Sequence, residues 1–382
     1  MNLIGEVWTK KERVGEVERN QAIREMRLGV KIRDWVAVLR TVGDLPPCAE
    51  LWLAKMNKWA DTLLHAAITY RAPTAVVDEL LDEMRRHEFD VMEIVSARNQ
   101  WGNTPLHCAA SRGSPLLCRS ILHALPTDEQ ITRAVLERNK ERETPVFLAA
   151  VHGHPKTFHF LSDFVEPEHT TAPYMKPNGD SVLHVTIQRK YFELSFAIMR
   201  HIPDLASIIN EKGQAPLDVL ASIPSAFRSA THLSWWERLW YPFITIRPIL
   251  PWPPCLRRSD LDHDGPPDQL PTPEAPFGFS ILRSTMEKKR RHVFGWRIMK
   301  RLLDSDAFYD SLTERELLVL DHDHPANLPM LASSLLGWTP LLRATKYGAI
   351  ELVLAILEKK PFAIEDESDE KKNVMLVAVE ER

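Results

Sequence analysis

The sequence predicts an all-α protein, a solenoid of helix–turn–helix repeats with short hairpin fingers between its helix pairs. The first observation is a related tetrad that recurs along the chain. Its copies are Thr62–His65, Thr104–His107, Thr144–Phe147, Ser181–His184, Ala215–Asp218, Thr339–Leu342 and Asn373–Leu376. The first five copies start 42, 40, 37 and 34 residues apart, and the last two start 34 apart. The second observation is a glycine after three of the tetrads, at Gly113, Gly153 and Gly348. Self-similarity at such a period indicates a repeat architecture.

Each tetrad has the residue types that begin a helix. Its second position is proline in four copies, at Pro105, Pro145, Pro216 and Pro340. Proline suits the first helical position, where its missing N–H would have no partner in any case. The position before it is threonine, whose hydroxyl can cap a helix, in four copies, at Thr62, Thr104, Thr144 and Thr339. We therefore expect a short first helix after every tetrad.

The residues after each tetrad predict a second helix and a stack. Gly113 supplies the left-handed conformation that ends the first helix. Leu117, Ile121 and Leu122 then follow at helical spacing. Because one such unit cannot bury its apolar face alone, neighbouring units have to stack.

The repeat pattern divides the chain into four parts. An N-terminal block spans 19–245 and opens with a capping helix pair at Arg19–Leu39. A linker follows at 246–279, and its segment Pro248–Pro276 holds nine prolines. A bridging helix is predicted at 280–305, with Phe294, Ile298 and Leu302 on one stripe. A second block, incomplete at its C-terminus, spans 306–382.

The tetrads resemble the T-P-L-H signature of ankyrin repeats, whose period is about 33 residues. The stretches 178–239 and 337–382 resemble plant ankyrin-repeat proteins that carry a C-terminal PGG domain. Distinctive runs at Pro224–Ser229 and Glu370–Asn373 belong to this similarity. The sequence ends at Arg382, about one helix into a repeat and before any PGG domain. We therefore expect either a truncated product or another element that covers this end.

The resemblance implies a role and a location. PGG-family members have a cytosolic ankyrin region joined to a membrane-embedded domain of about four helices. They are associated with stress and defence signalling at plant membranes. In longer forms the chain would lie at the cytosolic face of the plasma membrane, and its membrane contact would be indirect or through the missing domain.

Composition and motif searches argue against other classes of protein. A net charge of −4 gives no reason to expect nucleic acid as a partner. The four cysteines, Cys48, Cys108, Cys118 and Cys255, form no disulfide framework, which favours a reducing, intracellular location. No window reaches the roughly 18 apolar residues of a membrane helix. Hydrolase, zinc-protease and P-loop motifs do not occur, so we expect no enzyme activity, no cofactor and no small-molecule substrate.

Three groups of residues invite a metal or catalytic hypothesis. His65, His107 and His184 each belong to a different repeat, so structural hydrogen bonding is favoured over a shared metal ion. Asp321–His324 and Asp262–Asp264 are favoured as solvated loops. Cys108 beside His107 is interpreted as a buried, inert thiol. No metal site is predicted.

Two further segments have alternative interpretations. Lys288–Arg291 is either a solvated helix face, which is favoured, or a nuclear or lipid-facing signal. The group Trp235, Trp236, Trp240 and Trp252 is favoured as packing onto the solenoid over a position at a membrane interface.

The candidate partner-binding surface lies on the fingers. Its segments are Asn99–Asn103, Lys140–Glu143, Asn178–Asp180 and Glu211–Gly213. The candidate contact residues are Trp59, Asn99, Trp101, Asn103, Arg142, Asn178, Asp180, Lys212 and Trp338. Turn tips are normally polar, so tryptophans there indicate interface anchors. The alternative is that these rings fold back on neighbouring fingers.

Together these features predict a scaffold that binds other proteins, placed by the resemblance in plant stress or defence signalling. The alternative is the cytosolic regulatory half of a multi-pass PGG-domain protein, truncated here. A third hypothesis, an enzyme or metalloprotein, would require stoichiometric zinc in the purified protein.

Overall fold

The computed structural model describes residues 3–44, 49–86, 90–165, 171–246, 277–304, 338–368 and 370–381. Their contacts divide the chain into two units, the first ending at Pro173 and the second beginning at Tyr174. Within these ranges the regular elements are helices, with two isolated antiparallel bridges at Met175–Ser181 and Glu367–Asn373. The all-α prediction is therefore confirmed.

The first unit consists of short helices that follow a long N-terminal one. They are α1 (Leu3–Ile32), α2 (Trp35–Gly43), α3 (Ala49–Leu53), α4 (Leu63–Thr69), α5 (Thr74–Arg86), α6 (Val91–Val95), α7 (Pro105–Arg112), α8 (Pro115–His123), α9 (Asp128–Leu136), α10 (Pro145–Val151) and α11 (Pro155–Ser162).

Helix α7 shows why the tetrads begin helices. The Thr104 hydroxyl accepts a hydrogen bond from the His107 amide, and Pro105 is the first helical residue. The helix ends at Gly113, whose φ of 77° lies in the left-handed region. In each of the seven tetrads a helix begins at the second residue.

The helix pairs of the first unit stack in two rows. The inner row is α4, α7 and α10, in which each helix contacts the next, and the outer row is α5, α8 and α11. Leu106, Ala109 and Ala110 are fully buried in the inner row, where small side chains let helices approach closely. The segment Arg19–Leu39, predicted to be a cap, lies within α1 and α2, and α1 packs on α2 while α2 packs on α5.

The second unit also consists of paired helices, but one of its pairs is formed by helices that are far apart in the sequence. Its helices are α12 (Val182–Gln188), α13 (Phe192–His201), α14 (Pro216–Ala221), α15 (Trp235–Trp240), α16 (Phe277–Asp304), α17 (Pro340–Lys346), α18 (Ile350–Lys359) and α19 (Val374–Glu380).

The repeat interrupted after Ala221 is completed by a distant helix. Inner helices α12, α14, α17 and α19 contact one another in that order. Helix α16 contacts α14 and also the outer helices α13 and α18 on either side. It therefore takes the place of the outer helix that should follow α14, and its predicted stripe of Phe294, Ile298 and Leu302 is buried.

This packing changes the interpretation of the two blocks. The blocks predicted to be separated by a linker are in direct contact, since α17 packs on α14 within one unit. The predicted boundaries at 246–279 and 306 stay predictions, because most of those residues lie outside the described ranges. No helix in the described part of the chain is both long enough and apolar enough to cross a membrane.

Candidate protein-binding face

The fingers are held by a buried or half-buried asparagine that opens each of four hairpins. Asn99 Oδ1 accepts hydrogen bonds from the amides of Trp101 at 3.0 Å and Asn103 at 3.1 Å. The same pair of bonds recurs from Asn57 and Asn210, and Asn139 accepts from the amide four residues on. Such side-chain turns fix a loop without any regular strand.

Neighbouring fingers are also joined to each other. In the first unit, the Gln100 amide donates to Trp59 O at 2.9 Å, and the Lys140 amide donates to Trp101 O at 3.1 Å. In the second unit, the Glu211 amide donates to Asn178 O at 3.0 Å. The fingers of each unit therefore form a connected row rather than independent loops.

Side-chain amides add a second link between fingers. Asn99 Nδ2 donates to Asp61 Oδ1 at 3.0 Å, and in the second unit Asn210 Nδ2 donates to Asp180 Oδ1 at 2.7 Å. Asn139 Nδ2 donates to Asn103 Oδ1 at 2.9 Å. The sequence analysis did not predict these links. A recurring asparagine five residues before four of the tetrads could have indicated them.

The tetrad histidines tie each helix to the following finger. His65 Nδ1 lies 2.8 Å from Thr62 Oγ1, and its Nε2 lies 2.8 Å from Asn103 O. His107 and His184 repeat this arrangement, with Nε2 at 3.1 Å from Glu143 O and 2.9 Å from Gln214 O. Since a carbonyl only accepts, Nε2 carries the proton in each ring.

Burial keeps these histidines neutral. It lowers the pKa of His65 to about 4 and that of His107 to about 4, and it also lowers the pKa of His184. Both ring nitrogens of each histidine already have partners. Among the described residues there is no group of three or more side chains placed to hold a metal ion. The tracts Asp262–Asp264 and Asp321–His324 lie outside those residues.

Four of the seven tetrads lack the histidine, and the third and fifth tetrads in chain order show what replaces its contacts. Phe147 occupies the histidine position of the third tetrad, and Thr144 Oγ1 donates instead to Pro173 O at 2.7 Å. Asp218 occupies it in the fifth, where its carboxylate accepts from the Ala215 amide at 2.9 Å. The residue pattern is degenerate, but helix starts at Pro145 and Pro216 are retained.

The structure separates the predicted contact residues into exposed tips and internal supports. Trp101 is 47% exposed. Arg142, Asn178 and Lys212 are also exposed, whereas Trp59, Asn103, Asp180 and Trp338 are half-buried. Asn99 is only 6% exposed and its side chain is fully used within the fingers. Asn99 therefore supports its finger from within, and its contact with a partner stays a prediction.

The finger tryptophans fold back in part on neighbouring groups, and their role as interface anchors stays a prediction. The rings of Trp59 and Trp101 stack, with centroids 6.3 Å apart and planes inclined by 29°. Lys58 Nζ lies 5.0 Å from the Trp59 centroid, and Lys346 Nζ lies 4.8 Å from that of Trp338. Trp101 thus leans on its neighbour and still presents nearly half of its surface to solvent.

The buried thiols and one shallow cleft offer no better site. Burial raises the pKa of Cys108 to about 12 and also raises that of Cys118, so neither is a thiolate near neutral pH. In the second unit a cleft of about 230 Å³ is lined by Tyr241, His292 and Trp296, among others. Both nitrogens of His292 have partners, the Tyr241 hydroxyl at 2.7 Å and the Thr231 hydroxyl at 3.1 Å.

Comparison with known proteins agrees with the helix-pair geometry. Residues 101–128 match the family model of the ankyrin repeat. No curated protein matches the chain. The chain is similar to the crystal structure of the ankyrin repeat domain of Bcl-3, described as a unique member of the IkappaB protein family. That similarity has 14% identity and a TM-score of 0.46, and covers 83% of this chain and 94% of that one.

A second similar structure is EF0377, an ankyrin repeat protein, at 16% identity and a TM-score of 0.41, covering 52% of this chain and 90% of that one. Ankyrin repeats generally bind other proteins and are typically not catalytic. The paired helices, the joined fingers and the matched residues 101–128 together show that the chain has an all-α ankyrin-repeat fold.

Proposed function

We propose that the chain is a scaffold that captures another protein across its finger tips. The observation that carries the proposal is Trp101, a large apolar side chain that is 47% exposed at the tip of a finger fixed by hydrogen bonds. Tryptophan is the residue most enriched among interface hot spots. A finger already held in place also loses little conformational entropy when a partner binds.

The surroundings of Trp101 indicate what the partner surface contains. Lys58 is exposed on the finger before it, and Lys140 and Arg142 are exposed on the finger after it, on either side of one exposed carboxylate, Glu141. A partner segment that sets an apolar side chain against the Trp59–Trp101 pair would meet these cations at its edges. We therefore propose that it carries carboxylates on either side of that side chain, which would raise the association rate.

The test compares two tryptophans of equal exposure. Trp101 is 47% exposed and Trp296, on α16, is 48% exposed. A partner is isolated with the whole chain as bait, purified, and its Kd is then measured for Trp101→Ser and Trp296→Ser. Trp101→Ser should weaken binding by about 2 kcal/mol or more, with the melting temperature nearly unchanged.

Equal effects of the two substitutions on Kd would contradict the finger-tip site. A fall in melting temperature that matches the loss of affinity would show instead that Trp101 acts through the stability of its finger.

We further propose that this scaffold acts in plant stress or defence signalling, inside the cell. The support is the resemblance of 178–239 and 337–382 to plant PGG-domain proteins. The same resemblance supports a second candidate function, the cytosolic regulatory half of a multi-pass membrane protein. Sequencing the native transcript past the codon for Arg382 distinguishes the two. Continuation into several apolar helices favours the second candidate, and a stop codon favours the first.

A further inference from the structure

An exposed group of apolar side chains lies on and just after α15. Trp235 is 78% exposed, Phe243 75%, Leu239 58%, Trp240 52% and Trp236 41%. We call these five residues the aromatic patch. The prediction that the tryptophans pack on the solenoid is wrong for the three described ones, and Trp252 lies outside the described residues.

An ordinary surface helix turns its apolar side chains towards the core and its polar ones towards solvent. Helix α15 has the reverse arrangement. Its buried residue is Glu237, at 6% exposure. The Glu237 carboxylate accepts from the Ser234 amide at 2.8 Å and pairs with Lys288 Nζ at 2.6 Å. Polar bonds therefore anchor the helix, and its aromatic side chains face outward as a consequence.

The end of the patch is anchored as firmly as its start. Tyr241 is buried, and its hydroxyl lies 2.7 Å from His292 Nδ1. Lys289 Nζ donates to Tyr241 O at 2.6 Å. The outward orientation of Trp240 and Phe243, on either side of Tyr241, is thus fixed by the packing of α16.

The charges around the patch are one-sided. Between residues 227 and 246 the sequence has a single carboxylate, Glu237, and it is buried. Arg228 and Arg238 are exposed. The Lys289 ammonium lies 4.9 Å from the Tyr241 ring centroid, so neutral groups hold it. The adjacent Glu351 carboxylate, on α18, accepts a hydrogen bond from the Ser229 amide at 3.0 Å.

We propose that the aromatic patch docks this protein on an anionic phospholipid surface. Tryptophan and phenylalanine favour the boundary between headgroups and acyl chains. Each nearby Lys or Arg adds about 1 kcal/mol of attraction to acidic lipids. The five apolar side chains are exposed on one short helix and the turn after it, with cations beside them, which suits a broad, negatively charged layer. This lipid contact is independent of the proposed capture of proteins by the fingers.

The basic run Lys288–Arg291 on α16 contributes less to the lipid contact than its charge suggests. Lys288 pairs with Glu237, Arg290 pairs with Glu193, and Arg291 lies 3.7 Å from Glu287. Lys289 alone among the four is held against Tyr241. The cations that serve the lipid contact are therefore Arg228, Arg238 and Lys289, rather than the whole run.

The test measures binding of the whole chain to vesicles by co-sedimentation. One vesicle is phosphatidylcholine alone, and the other contains about 30 mol% phosphatidylserine. Wild type should bind the anionic vesicle, and binding should fall as salt rises. The double substitution Trp235→Ser with Phe243→Ser should weaken vesicle binding at least about tenfold. Arg238→Gln should weaken it about fivefold. Trp101→Ser, in the first unit, serves as a control of similar chemistry and should bind like wild type.

Each other result overturns the proposal. The proposal is wrong if wild type does not bind anionic vesicles. It is also wrong if the patch variant binds them as tightly as wild type. Equal binding to both vesicles would remove the anionic requirement. If the patch variant keeps vesicle binding and loses only affinity for a purified protein partner, the patch is a protein-binding surface instead. Unchanged circular dichroism of the patch variant excludes misfolding as the cause of a loss. Failure here leaves the finger-tip site to its own test with Trp101→Ser.

Discussion

At the scale of single residues, the fingers depend on two polar side chains that repeat. The tetrad histidine joins its helix to the next finger, and the asparagine at the start of each of four fingers closes its turn. The histidine role was predicted from the sequence, because its spacing places one such residue in each of three repeats. The burial of Asn99 was not, since it depends on Asp61, a residue 38 positions away.

The buried histidines make stability dependent on pH. Burial lowers the pKa of His65 and His107 from 6.5 to about 4. Above pH 6.5 both folded and unfolded forms are neutral, so this stability is fully present. As pH falls from 6.5 towards 4 the unfolded chain binds protons first. Each histidine then removes up to about 1.4 kcal/mol per pH unit.

Urea unfolding at pH 7.5 and pH 5 measures this loss. His107→Gln should lower stability at pH 7.5 and reduce the difference between the two pH values. If stability fell by the same amount between pH 7.5 and pH 5 in wild type and in His107→Gln, the lowered pKa of His107 would not contribute to the loss.

The left-handed residue near the end of each finger gives a second prediction. Gly102 has a φ of +75°, and a Cβ there would lie 2.8 Å from Lys140 N. Gly102→Ala should therefore destabilise the protein by about 1–3 kcal/mol. Ala60 holds the equivalent position with a φ of 58°. Ala60→Gly relieves that strain and should stabilise by up to about 1 kcal/mol. Thermal unfolding measures the change in stability of both variants, which we expect to have opposite signs. If both substitutions change stability in the same direction, the left-handed backbone at this position does not strain a residue with a Cβ.

At the scale of helices, the main finding is that α16 completes the repeat begun by α14. Sequence patterns predicted a helix at 280–305 and its buried stripe, because periodicity is a local signal. They did not place it, because contacts of α16 with α13 and α18 join residues far apart in the chain. The exposure of α15 was missed for the same reason, since the buried Glu237 pairs with Lys288, 51 residues further along the chain.

Gly295 tests the docking of α16. A glycine within a helix normally costs about 1 kcal/mol relative to alanine. At Gly295, however, a Cβ would lie 2.5 Å from Ala226 O. Gly295→Ala should therefore destabilise by about 1–3 kcal/mol and reduce hydrogen-exchange protection across 277–304.

Gly43, in α2, is the matched control, because a Cβ there meets nothing within 4 Å. Gly43→Ala should leave stability unchanged or raise it slightly. If Gly295→Ala raised the unfolding midpoint as much as Gly43→Ala, α16 would not approach Ala226 as closely as described.

At the scale of the molecule, stability should be distributed along each stack rather than concentrated in one core. Repeats of this kind contact only their neighbours, so their energies add nearly pairwise. Helix α7 contacts α4 on one side and α10 on the other. The tetrads predicted this stacked architecture; the division after Pro173 had no counterpart in the sequence pattern.

Leu106→Ala measures how far a local loss spreads. Leu106 is fully buried in α7, and its truncation should cost about 2–5 kcal/mol. Hydrogen exchange should accelerate most in α4, α7 and α10, and progressively less in α1 and α2. A uniform acceleration over residues 3–165 would show that the first unit unfolds as a single cooperative block.

The completion of a repeat by a remote helix has a consequence for protein engineering. The partners α14 and α16 stay paired although a long stretch of chain separates Ala221 from Phe277. Closing a loop costs only about 0.6 kcal/mol more for each doubling of its length. A longer connection at this position should therefore cost little additional free energy. A reporter domain or an affinity tag placed between 251 and 276 should be carried by the scaffold without disturbing the finger row.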